Sequence, residues 1–148
     1  MNHRGPDTYG HTIINSCCLA HTRLSIIDLE NGRQPMSYTK DGNTYYIVYN
    51  GEIYNYKEVK KTLLRKNHTF ETNSDTEVII AAFCHYGPGF VKELNGIFAI
   101  AIYDSMRNTL YLYRDRFGVK PLYYTKTGDT LVFASRIDTL FEYPRVRP

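Results

Sequence analysis

Apolar and polar positions along this chain recur with two periods, and the switches between them mark the elements. Thr12 to Ile14 and Cys17 to Arg23 are short β-type runs separated by Asn15 and Ser16, a hairpin signal. Leu24 to Ile27 prolongs the apolar pattern as far as Asp28, and Glu30 to Pro35 reads as a loop. Tyr45 to Tyr49 is a β-branched and aromatic run bounded by Asp41-Gly42 and Asn50-Gly51, so a strand ending in a sharp turn is expected. From there the period lengthens. Tyr56, Val59, Leu63 and Leu64 recur at helical spacing, with Lys57, Lys60, Lys61 and Arg65 on the other face and Asn55 with Glu58 as the expected cap. Ser74 to Glu77 spells a capping box ahead of Val78 to Phe83, and Gly87-Pro88-Gly89 closes that helix. Gly96 to Tyr103 is almost unbroken in its apolarity, which predicts a strand buried on both faces. Asp104 to Asn108 turns the chain into a strand at Thr109 to Tyr113, followed by a charged turn at Arg114 to Gly118. Leu122 to Tyr124 and Thr130 to Ser135 make a last hairpin. Antiparallel strands come first and last with two helices between them, so the fold class is α+β.

Composition narrows the picture. At 148 residues the chain suits one domain, and its 43% hydrophobic and 22% charged content is ordinary for a globular protein. Fourteen Tyr and no Trp suggest half-buried sheets whose phenols reach the surface. The net charge of +3 comes from charges that alternate in sign, so neither nucleic acid nor a membrane is an expected partner. Three cysteines, Cys17, Cys18 and Cys84, build no disulfide framework, which fits a reducing, cytoplasmic setting. No run is long enough to span a bilayer, and no leader precedes the first polar residues.

Candidate chemistry gathers at a few positions. Asn50-Gly51 admits two readings: a hairpin turn, since both residues tolerate positive φ, or an amide and a backbone N–H aimed at a developing oxyanion. The helical pattern that follows favours the second. Arg23 offers a fork suited to a carboxylate, or is an ordinary surface cation. Asp75 in a first helical turn could accept from an ammonium group, or simply complement the helix dipole. Glu52 could accept from an amide NH₂ or be solvated. Glutamine would satisfy all four at once. Cys17 and Cys18 read as small core residues, since nothing nearby activates a thiolate.

Six stretches then occur in a telling order: His3-Arg-Gly-Pro-Asp7, Arg23 to Asp28, Asn50-Gly-Glu-Ile-Tyr-Asn55, Ser74 to Glu77, Asn95-Gly-Ile-Phe-Ala99 and Arg114 to Tyr123. Together they resemble the glutaminase domain of glutamine-hydrolysing asparagine synthetase, a class II glutamine amidotransferase of the N-terminal-nucleophile hydrolase superfamily. The resemblance implies an αββα sandwich of two antiparallel sheets flanked by helices. It also implies an N-terminal cysteine nucleophile whose own α-amine is the base. Carried over by motif, Arg23 binds the α-carboxylate of glutamine and Asp75 its α-amine. Asn50 and Gly51 form the oxyanion hole, Glu52 helps recognise the substrate, and Leu24, Ser25, Ile26 and Ile27 line the pocket. The His3 to Asp7 loop is expected near the ammonia exit. Ammonia would pass to a synthetase domain that uses ATP and Mg²⁺ to activate aspartate. No metal or cofactor is expected in this domain, and a homodimer is compatible with the resemblance.

The chain departs from the family where it matters most. Residue 2 is Asn2 where the family carries its cysteine, and the family's opening strand and first helix would precede His3. The expectation is an amidotransferase domain over 1–142, truncated before its first strand and helix, with 143–148 beginning a linker to an absent synthetase domain. Such a chain would be inactive alone. Alternatives are an amidotransferase domain with another acceptor, or a nucleophile-free glutamine-binding or interaction module. Around Ser135 the family usually has an acidic residue next and a basic one at the position of Asp138; here Arg136 and Asp138 reverse those signs.

Overall fold

The computed structural model describes residues 8–23 and 32–147, the side chains of Thr8 and Arg23 excepted. Along the chain run β1 (Thr8–Ile14), β2 (Cys17–Arg23), β3 (Met36–Lys40), β4 (Asn43–Ile53), α1 (Tyr56–Leu64) and α2 (Asp75–Tyr86). A 3-10 segment (Gly87–Glu93) follows, then β5 (Gly96–Asp104), β6 (Thr109–Arg114), β7 (Tyr123–Thr127), β8 (Thr130–Ala134) and α3 (Ile137–Phe141). His3 to Asp7, Leu24, Ser25, Ile26 and Ile27 lie outside the described residues.

An antiparallel sheet in the order β3-β4-β5-β6 is the middle layer. Its β4 and β5 are buried on both faces because two separate cores form, one on each side. On one side Ile47, Tyr49, Ile53, Phe98, Ile100 and Ile102 meet α1, α2 and Phe90. On the other, Val48, Ala101 and Tyr103 meet Leu19 of β2, with Phe133 of β8 against them. Ile47, Ile79, Ile80, Phe90, Ile100 and Ile102 are fully excluded from solvent. Burial of each such side chain stabilises the fold by about 2 kcal/mol. The second β layer is two hairpins, β1-β2 and β7-β8, which share no pairing with each other. Among the described residues its outer side carries only the short α3.

The local signals were realised unevenly. Asn15 takes a positive φ of 51° in the first hairpin, as its turn requires. The chain does not turn sharply at Asn50-Gly51: β4 continues to Ile53, paired with Gly96. Asn55 precedes α1 without a side-chain cap, because its amide instead ties Glu93 O (2.9 Å) to Asn95 N (2.8 Å), joining α1 to the start of β5. The capping box on α2 is half formed. Ser74 Oγ accepts from Thr76 N at 3.2 Å, but Glu77 turns away to accept from Glu71 N, Thr72 N and Thr72 Oγ1 at 2.8, 2.7 and 2.6 Å. Those loop donors sit beside a buried carboxylate, and satisfying them outweighs closing the box. Cys18 is exposed rather than in the core, while Cys17 is half-buried on the opposite face of β2.

The charged turn after β6 is built on Asp115. Its carboxylate accepts from Phe98 N, Phe117 N, Val119 N and Lys120 N, and its own N–H donates to Phe98 O at 2.8 Å. Arg114 braces the same turn through Gly118 O and Lys120 O. Burial alone would raise the Asp115 carboxyl, but the backbone donors outweigh it and hold it below the usual carboxylate range. A depressed native value contributes stability that is present above the unfolded value, near pH 3.9, and lost as pH falls through the native one. Acid titration of stability should therefore be shallower below about pH 4 in Asp115→Asn than in the wild type. Equal slopes in urea melts across that range would remove Asp115 from the acid response.

Candidate functional site

The site is assembled along the edge of β4 that β3 leaves open. β3 pairs with β4 only as far as Met36 opposite Ile47, so residues 48–53 run past its end. Alternation then decides which backbone groups face that edge. Phe98, opposite Gly51, spends both its N–H and its C=O on Asp115, on the β6 side. The Gly51–Phe98 pair is therefore not mutually hydrogen-bonded, and the N–H of Gly51 points to the open edge. Its neighbours of the same parity do likewise. Tyr49 N donates to Gln34 Oε1 at 2.5 Å, His21 Nε2 meets Tyr49 O at 3.1 Å, and Ile53 N donates to Asp75 Oδ2 at 3.4 Å. Gly51 itself is fixed by close approach. A Cβ there would stand 2.1 Å from Ile97 O, and its φ is 154°.

Asp75 opens α2, where the N-terminal dipole favours an anion, and leans against this edge. Its Oδ2 accepts from the Tyr49 phenol at 2.9 Å as well as from Ile53 N. Burial pushes its carboxyl above the ordinary range, and the bonds from Tyr49, Ile53 and Thr76 offset that in part. The Tyr49 phenol is pushed up, first by burial and then by the Asp75 charge, so it keeps its proton and donates. Gln34 bridges onward from its Nε2 to Thr76 Oγ1 at 3.4 Å.

Asn50 lies exposed on the opposite face of β4 from Tyr49, where it lines a cavity of about 660 Å³ between the two hairpins, together with Ala20, His21, Thr22 and Ala99. Glu52 is exposed. Arg23 ends β2, opposite Thr8 and next to Thr22 on that cavity wall; its side chain is outside the description. Thus the structure brings Gly51 and Asp75 to one edge and places Asn50 and the end of β2 beside it. Sequence reasoning missed the groups that hold this edge together: Tyr49, Gln34 and His21. Tyr49 had a signal, since alternation puts it on the face opposite Asn50, where a buried phenol needs a partner.

The cysteines stand apart from this edge in their chemistry. Burial pushes the Cys84 thiol up to about 12 and raises Cys17 as well. Among the described residues no group of His, Cys, Asp and Glu is arranged to hold a metal ion, and no helix is long and apolar enough to cross a membrane. Arg136 and Asp138, whose signs depart from the family pattern, bond each other through Nε to Oδ1 at 2.8 Å and through Nη2 to Oδ2.

Comparison with known proteins supplies the family. A glutamine amidotransferase domain profile matches residues 1–148. The chain is 42% identical over 147 residues to asparagine synthetase [glutamine-hydrolyzing] 3 of Bacillus subtilis, covering 99% of this chain and 24% of that protein. It is 40% identical over 144 residues to amidase chyE of Penicillium rubens, covering 97% of this chain and 21% of that one. The solved glutamine phosphoribosylpyrophosphate amidotransferase of B. subtilis shares the fold, with a TM-score of 0.68 at 24% identity over 80% of this chain and 27% of that one. The chain thus spans about a quarter of the length of the proteins it matches. The helix-covered antiparallel sheet and its second β layer form an α+β fold shared with that solved amidotransferase, and the chain belongs to the glutamine amidotransferase domain family.

Proposed function

We propose that this chain binds glutamine and forms the glutaminase part of a larger enzyme that moves glutamine nitrogen onto activated aspartate. The observation that carries the reading is the open β4 edge, where a helix-start carboxylate accepts from the outward N–H of Ile53, two residues past the strand's only glycine, Gly51. A free amino acid with a side-chain amide matches that set. Asp75 accepts from the α-ammonium group and Arg23 pairs with the α-carboxylate. The Asn50 amide and the Gly51 N–H receive the oxyanion, Glu52 accepts from the substrate NH₂, and Leu24 to Ile27 are assigned to the pocket lining. Glutamine and water would give glutamate and ammonia through a thioester, which needs a thiolate beside Asn50. Cys17 and Cys84 are held as thiols by burial, and Cys18 is exposed on β2. The chain by itself is therefore a binder without turnover.

The asparagine synthetase relative supports aspartate as the acceptor, served by a further domain in which ATP and Mg²⁺ act. On this reading residues 143–148 begin the connection to it. The amidase relative supports a second reading, in which the same glutaminase unit feeds another acceptor. Titration calorimetry tests the shared core of both. The wild-type chain should bind glutamine, and Arg23→Ala should weaken binding about a hundredfold, the worth of a good bidentate charge pair. Equal affinities would remove Arg23 from the site, and ammonia release by the pure chain would refute the account of the thiols.

A further inference from the structure

Tyr49 has all its polar groups committed at the site edge. Its N–H donates to Gln34 at 2.5 Å, its C=O meets His21 at 3.1 Å, and its phenol donates to Asp75 at 2.9 Å. Each partner belongs to a different part of the molecule. His21 stands two residues before Arg23 on β2, Gln34 leads into β3, and Asp75 opens α2. One residue therefore spans the groups assigned to opposite ends of an amino-acid ligand. The ring is 5% exposed and wedged in the helix-side core, so the phenol oxygen cannot swing away.

We propose that Tyr49 is a positioning residue for the ligand's α-ammonium group: its phenol locks Asp75 Oδ2, so that only the other carboxylate oxygen is left to accept from the ligand. This rests on the glutamine reading above. The groups acting on Asp75 are Tyr49 and Glu52 of β4, the Ile53 N–H, and the Thr76 N–H of its own helix; Tyr54 acts on the Tyr49 phenol. Burial first, and the Glu52 charge after it, push the Asp75 carboxyl up, and the bonds from Tyr49, Ile53 and Thr76 offset that in part. Without the phenol, Asp75 titrates higher and its rotamer is free. Glutamine affinity then falls, and its acid limb moves to higher pH.

The test pairs Tyr49→Phe, which keeps the ring in the core, with Tyr38→Phe. Tyr38 is a phenol of the same sheet that bonds His68 at 3.1 Å, away from the site. Carbon-13 titration of the Asp75 carboxyl and glutamine calorimetry across pH are read on the chain as it stands. Tyr49→Phe should bind glutamine about tenfold more weakly at neutral pH, as expected for one hydrogen bond to a charged group. The Asp75 midpoint and the acid limb of binding should rise together, while Tyr38→Phe leaves both in place. Loss of packing alone would weaken binding without moving the midpoint. Tyr49→Phe matching the wild type in affinity and midpoint, or Tyr38→Phe reproducing its effect, overturns the proposal. A wild-type chain that ignores glutamine overturns the amidotransferase reading instead, and this proposal's ligand with it.

Discussion

Gly51→Ala should lower the stability of this domain by about 4 kcal/mol, adding the strain of a positive φ to that of an overfilled contact. The added methyl would meet backbone, Ile97 O at 2.1 Å and Phe98 Cα at 2.8 Å, and backbone of a doubly paired central strand has nowhere to go. Relief would require β4 and β5 to separate beside the deepest part of the core. Gly42→Ala supplies the comparison, since φ there is 78° with nothing within 4 Å, so only the conformational cost of about 1 kcal/mol remains. Urea melts of the two variants should differ by several kcal/mol. Similar losses would mean that β4 and β5 are not in the register described.

Glu77→Ala is the second large effect, at about 3 kcal/mol. The carboxylate is 5% exposed and takes three donors from Glu71 and Thr72, so truncation leaves two part-buried N–H groups and a hydroxyl without their acceptor. Glu77→Gln keeps an acceptor oxygen and should recover part of the loss. The segment pinned this way leads through Asn73 directly into Ser74 and Asp75. Hydrogen exchange at Glu71 and Thr72 should accelerate in Glu77→Ala more than exchange in β5 does. Unchanged exchange at those two amides would show that the carboxylate does not hold them.

How much of this was legible beforehand depends on the range of the interaction. The run from Gly96 to Tyr103 announced a strand buried on both sides, because side-chain polarity alone carries that information. Asn15 and Gly128 announced their hairpins through positive φ, a local demand. Asn50-Gly51 misled for the same reason. Both residues suit a turn, but the glycine is there to let Ile97 of a distant strand come close, and only the partner strand reveals that. Glu77 and Asn55 were matched to helix caps by spacing, yet tertiary donors outcompeted the local ones. The site was legible as a set of residue types, through motifs at Arg23, Asn50, Gly51 and Asp75. What joins Gly51 to Asp75 was not, because Tyr49, Gln34 and His21 act through bonds between elements far apart in sequence.

The unpaired hairpins of the second β layer give the molecule two grades of cohesion. Each hairpin closes on its own through neighbouring residues, whereas the middle sheet is locked by partners from both sides and by the helices above. The β1-β2 hairpin is tied to the sheet by Leu19 in the second core and by His21 on Tyr49 O, and the β7-β8 hairpin by Phe133, so each can shift against the other without unpairing a strand. Such a shift would widen the wall beside Asn50 and give a ligand passage inward without global unfolding.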